Sequence, residues 1–166
     1  MDRVPGAIAF TDKQRQAALS LFQYITSVTG IPFQQAADPA DSNLRLVNAP
    51  PGANSIYTTW NGTPASYIVL SLDTGFANFP DPAPGTFAYT NFLHEMGHVL
   101  GLVHPSILRD ATETVMTGFG CGSNINCNTP PSTFGKYDLL ALRWIYGGDG
   151  FGGVRGYVSR CGSGLQ

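Results

Sequence analysis

His94-Glu95-Met96-Gly97-His98-Val99-Leu100-Gly101-Leu102-Val103-His104 holds all three histidines of this 166-residue chain and one of its two glutamates. His94 and His98 are four positions apart, so on a helix they project from one face on successive turns. Imidazoles so placed can share one Zn²⁺ at about 2.0–2.1 Å each. Glu95, roughly 100° further round the helix, is placed to reach a water activated by the metal rather than the metal itself. Such a water has a pKa near ~7, within reach of a carboxylate base at neutral pH. Gly101 tolerates positive φ and lets the chain leave the helix sharply, which can bring His104 back as a third ligand. Three protein ligands leave a fourth position for water and then a substrate carbonyl.

Working outward, the segment sits in a helix expected from about Thr86 to Leu100, with Phe87, Phe92, Leu93, Met96 and Leu100 mostly facing the core. Upstream, residues 11 to 29 read as a helix. Thr11 and Gln14 make a capping box, Ala18, Leu21, Phe22, Ile25 and Val28 form its apolar face, and Gly30 and Pro32 stop it. Ile31–Ala36, Leu44–Asn48, Ser55–Trp60 and Ser66–Leu72 are strand candidates, with Asn61-Gly62 as a turn signal between the last two. Downstream, residues 105 to 131 read as irregular. Ser132 or Thr133 is expected to cap a last helix running to about Tyr146, with Leu139, Leu142 and Ile145 on one side and Gly147-Gly148 at its end.

The length fits one domain, residues 1–166, ending in a Gly-rich tail at 148–166. The hydrophobic fraction is 43 %, enough for a packed core and against disorder. A net charge of −2 and two widely separated lysines, Lys13 and Lys136, give no footprint for nucleic acid or for an anionic membrane surface. No apolar run approaches the ~18 residues of a membrane span. Charged residues make up 12 % of the chain, about half the usual ~25 %. With abundant Gly, Pro, Asn and Ser, that suits a secreted, loop-rich domain. The N-terminus does not read as a signal peptide. Cys121 and Cys127 could close a small loop in an oxidising compartment, which leaves Cys161 over.

The eleven-residue segment resembles the signature of the metzincin zinc endopeptidases, HExxHxxGxxH, which is followed by a Met-turn. Met116, in Thr114-Val115-Met116-Thr117 twelve residues past His104, matches the Met-turn methionine. Pro105 after His104, the stretch from Asp138 to Gly147 and the helix opened by Phe10-Thr11 are similar to the serralysin branch. The resemblance spans about residues 8 to 147. It implies an α+β, zincin-type fold with its core at about 8–147: a small twisted mixed sheet, an active-site helix and a C-terminal helix, truncated at the N-terminal strand. It also implies one catalytic zinc held by His94, His98 and His104, Glu95 as general base and Met116 beneath the metal. The strand around Ser55–Trp60 would be the sheet edge along which an extended peptide substrate binds, and the protein would act as a monomer. A Cys121–Cys127 disulfide would fix the wall of the substrate pocket.

The chain departs from the branch just after the Met-turn and in its calcium repeats. Gly118 stands where serralysins carry a tyrosine, and Met-Thr-Gly is closer to the snapalysin type, although the third ligand here is His104 rather than aspartate. Calcium-binding nonapeptide repeats are missing, so calcium has no supporting motif. No histidine remains for a second histidine-bound zinc or for a proton shuttle. The rival expectation is a non-catalytic zinc-binding recognition module that retains the motif. The carboxylate of Glu95 speaks against it, because a module without chemistry has no use for that group.

Overall fold

The computed structural model describes residues 8–38, 41–49, 57–60, 68–73, 81–106, 113–117 and 130–147. Among these residues three helices and three strands follow one another in the order α1 (Asp12–Thr29), β1 (Leu44–Ala49), β2 (Tyr57–Trp60), β3 (Ile68–Asp73), α2 (Phe87–Val99) and α3 (Lys136–Tyr146). The chain is therefore of mixed helix and strand, as expected.

Helix α1 begins as the sequence predicts. The Thr11 hydroxyl accepts from Gln14 N at 3.2 Å while Thr11 N donates back to Gln14 Oε1 at 2.8 Å, so two orphan donors of the first turn are satisfied together. Ala18, Leu21 and Ile25 are buried along one face. The helix ends at Gly30 in the left-handed conformation, φ 75°. Gln14 also exchanges two side-chain bonds with Asn48 of β1, at 2.8 and 2.9 Å, deep in the structure. A buried amide pair satisfied in this reciprocal way fixes the helix against the strand.

Residues 31–36 form no strand, contrary to expectation. Their backbone is held by the preceding helix instead. Ile31 O accepts from Thr26 Oγ1 at 2.7 Å, and Ile31 N donates to Thr29 Oγ1 at 3.2 Å. Phe33 stacks on Phe22 with ring centroids 4.5 Å apart. The apolar residues of this segment thus pack on α1 rather than enter the sheet.

The sheet has the order β1-β3-β2. β1 and β3 are parallel, with Leu44 opposite Ile68, and β2 is antiparallel to β3, with Trp60 opposite Ile68. β3, the last of the three in sequence, thus lies between β1 and β2. Among the described residues β2 is therefore an edge. On the other edge, Ile8 makes an isolated antiparallel bridge to Asn48, Ile8 N→Asn48 O at 2.9 Å and Asn48 N→Ile8 O at 2.8 Å. Among the described residues this bridge is the only strand-like pairing N-terminal to α1.

Helix α2 lies against β2 and β3, and α1 packs on α3. Ala88, Tyr89, Phe92, Leu93 and Met96 bury most of the circumference of α2; a helix apolar nearly all round belongs inside a protein. Phe10 meets Phe92 edge-on at 6.1 Å. Phe87 departs from expectation. As the first residue after the N-cap Thr86 it lies at the protein surface, 47 % exposed. Helix α3 starts later than the Ser132 or Thr133 cap predicted, with Gly135 as N-cap. The reason is a close approach: a Cβ at Gly135 would overlap the carbonyl of Glu113 and the nitrogen of Thr114, so only glycine lets the helix begin there. Leu142 is fully buried, Leu139 and Ile145 pack beside it, and Gly147 ends the helix at φ 71°. Among the described residues no helix is long and apolar enough to cross a membrane.

Candidate metal centre

Helix α2 carries His94 and His98, and the turn that ends it returns His104 to them. That turn has a simple cause. Gly101 adopts φ 90°, Gly101 N donates to His98 O at 2.9 Å, and Leu102 N donates to Gly97 O at 2.9 Å. These are the two bonds of a Schellman motif, which caps a helix and reverses the chain around a left-handed residue. Leu102 is buried, which anchors the reversal, and the Tyr146 hydroxyl of α3 donates to Leu100 O at 3.0 Å.

The three imidazoles converge. His104 Nε2 lies 3.0 Å from His94 Nε2 and 3.2 Å from His98 Nε2, with ring centroids 4.7 to 5.0 Å apart. One ligand atom from each residue falls within 4.8 Å of the others. Nitrogens about 2.0–2.1 Å from one tetrahedral ion stand about 3.3 Å apart, so the cluster fits a single ion.

Proton positions point the same way. His94 Nδ1 is 2.7 Å from Val115 O and His98 Nδ1 is 2.9 Å from Leu102 O. A carbonyl only accepts, so both Nδ1 atoms carry the proton, and in the neutral ring each Nε2 presents a lone pair. His104 Nε2 can donate to at most one of them, which leaves an acceptor facing an acceptor; a cation between them resolves this. Burial holds the His94 pKa below the ordinary histidine value, with His98 and His104 lowering it further against the raising effects of the Val115 bond and Asp138. His104 is also lowered, by burial and then by His98. Both shifts favour the neutral ring that a metal needs.

Glu95 is 8 % exposed on the same helix. Met116 is buried beneath α2, and its approach depends on Gly97, where a Cβ would come within 2.5 Å of Met116 Sδ. In the sequence Gly97 is only weakly marked. Its only local signal was a helix-interior glycine, which is unfavourable by ~1 kcal/mol relative to alanine and invites a packing reason.

Asp138 and Thr114 were also missed as site residues. The buried Asp138 carboxylate accepts from Val115 N at 2.7 Å, Gly135 N at 2.9 Å and the Thr114 hydroxyl at 2.5 Å. It thus joins the start of α3 to the turn that carries Met116. An acid three residues after a glycine signals a helix start, but its contacts with residues over twenty positions away are tertiary and leave no local trace. Glu113, to which the sequence assigned no role, pairs with Lys136 at 2.6 Å. Gly118, Cys121, Cys127, Cys161 and the tail at 148–166 lie outside the described residues, and the expected disulfide lies with them.

No protein-family model matches the chain, and no curated protein matches it. The class therefore rests on the site itself: three histidines close enough to hold a metal ion, beside a buried glutamate.

Proposed function

We propose that the chain is a zinc-dependent hydrolase and, more narrowly, a secreted endopeptidase of the metzincin type with serralysin-like character. The observation that carries this reading is the convergence of the His94, His98 and His104 Nε2 atoms on one point. A structural zinc normally has four protein ligands. This cluster offers three among the described residues, leaving one position for chemistry. When bound there, zinc supplies Lewis acidity that polarises a scissile carbonyl and brings a water into the range of a carboxylate base.

The protein's own residues do the rest. Glu95 takes the proton from the attacking water onto its carboxylate. It then gives that proton to the nitrogen of the leaving amine, so the C–N bond breaks without expelling an amide anion. The bonds from His94 and His98 to backbone carbonyls hold the rings in the ligating tautomer. Met116, seated against Gly97, supports the helix that carries two ligands and the base. The substrate is an extended peptide added to the β2 edge. Edge strands offer unpaired backbone groups, and β2 lies beside α2.

A casein or quenched-peptide assay tests the reading. Hydrolysis should cease with a chelator and return with zinc, and Glu95→Ala should keep its zinc yet lose nearly all turnover. A zinc-loaded wild-type protein that cleaves nothing would favour the non-catalytic recognition module. Full turnover in Glu95→Ala would refute the assigned mechanism.

A further inference from the structure

A continuous chain of hydrogen bonds leads away from His94, and every donor in it points the same way. His94 Nδ1–H donates to Val115 O at 2.7 Å. The N–H of that same peptide unit belongs to Met116 and donates to Thr114 Oγ1 at 3.0 Å. The Thr114 hydroxyl donates in turn to Asp138 Oδ1 at 2.5 Å. The Val115–Met116 peptide and the Thr114 hydroxyl each accept on one side and donate on the other, so the chain ends on a buried carboxylate. Asp138 Oδ2 separately accepts from Val115 N and Gly135 N, which locks the turn on which the chain depends. Hydrogen bonds linked in this way polarise one another. A carboxylate at the far end raises the electron density of the imidazole and the basicity of its free nitrogen, as a direct carboxylate–histidine contact does at many metal sites.

We propose that Asp138 is the remote carboxylate partner of His94, acting through the Thr114 hydroxyl and the Val115–Met116 peptide to orient the ring and strengthen its Nε2 as a metal ligand. Asp138 and Thr114 are positioning residues; neither touches the metal or the substrate. The proposal deepens the zinc-site reading and rests on it for the consequence at the metal, while the relay itself is a property of the metal-free fold.

The test is substitution of the central hydroxyl. Thr114→Val keeps the shape and removes the relay, and Thr114→Ser keeps the hydroxyl. Zinc affinity, measured by competition with a chromophoric chelator, should fall about 10–100-fold in Thr114→Val and stay within about threefold of wild type in Thr114→Ser. The visible spectrum of the cobalt-substituted protein should change only in the valine variant. In metal-free protein the His94 Nδ1–H proton resonance should move upfield in Thr114→Val and not in Thr114→Ser. General destabilisation would not move that resonance while the fold persists. Equal zinc affinity and an unmoved resonance in folded Thr114→Val would overturn the relay. Wild-type protein that takes up no zinc would instead overturn the function proposed above and the tuning of the metal with it. The relay also has a test that needs no variant. The Thr114 hydroxyl proton in wild type should be slow to exchange and close to the Met116 amide, and a hydroxyl proton averaged with solvent would overturn it.

Discussion

Gly101→Ala isolates a backbone effect at the turn that delivers the third ligand. Gly101 sits at φ 90°, and a Cβ there would meet only Ile145 Cδ1, at 3.9 Å. There is room for the methyl group, so the cost is conformational. An L-residue in the left-handed region is disfavoured by ~1–2 kcal/mol. Alanine also stiffens the unfolded chain, which returns about 0.4–1 kcal/mol. The net loss is therefore about 1 kcal/mol, or about 2–4 °C in Tm for a domain of this size. It should appear in the metal-free protein, because the fold holds the turn through Leu102 N→Gly97 O, Gly101 N→His98 O and the Tyr146 hydroxyl on Leu100 O. Urea unfolding of chelator-treated protein is the assay; the midpoint should drop with the slope unchanged. Gly101→Asn should lose less, since asparagine tolerates this region. The reasoning fails if metal-free stability is unaltered while zinc affinity drops about tenfold. Tenfold is ~1.4 kcal/mol, so the conformational cost would then have gone into moving His104, and the turn would not be fixed by the fold.

Two further outcomes follow from the same geometry. Gly135→Ala has no backbone penalty, since φ is −73°, but its Cβ would overlap Glu113 O and Thr114 N. The obstacle is main chain that cannot rotate away, so the loss should reach or exceed the upper part of the ~1–3 kcal/mol range for overpacking, read by the same unfolding assay. A loss smaller than that of Gly101→Ala would contradict the close approach. Zinc at about a hundred times its Kd should stabilise the folded protein by ~2.7 kcal/mol, or about 5–11 °C in Tm at ~2–4 °C per kcal/mol. A chelator should reverse the shift, and an unshifted melting curve would deny the site its metal.

What the sequence made legible is what local chemistry decides. The Thr11–Gln14 box, the left-handed caps at Gly30 and Gly147 and the reversal at Gly101 each depend on neighbours within five residues, and each occurs where expected. The clustering of His94, His98 and His104 is of the same kind, because a helix of known pitch and one glycine suffice to converge them. Residues 31–36 misled because their apolar pattern suits a strand as well as a segment lying on a helix. The choice was made by Phe22 and by two threonine hydroxyls of α1. The parallel pairing of β1 with β3 around an outlying β2 is likewise invisible locally, since sequential hydrophobic strands do not state which neighbour they skip.

The late start of α3 is the most informative of these departures, because it belongs to the site. Had Ser132 or Thr133 capped the helix, Asp138 would fall deeper in it, away from the N-cap amide. With Gly135 as cap, Asp138 occupies the third position and its carboxylate lies beside the Gly135 amide, the Val115 amide and the Thr114 hydroxyl together. Gly135 is required because the turn at Glu113 and Thr114 passes so close, and Tyr137 N completes the seam by donating to Glu113 O at 3.0 Å. The turn so held presents Val115 O to His94 and Met116 to Gly97. The eleven-residue segment therefore supplies the ligands, while the orientation of the first ligand is written some forty residues downstream, in a glycine and an aspartate three positions apart. A substitution at either should reach the metal centre without touching it, which separates the helix α3 contribution from that of α2 itself.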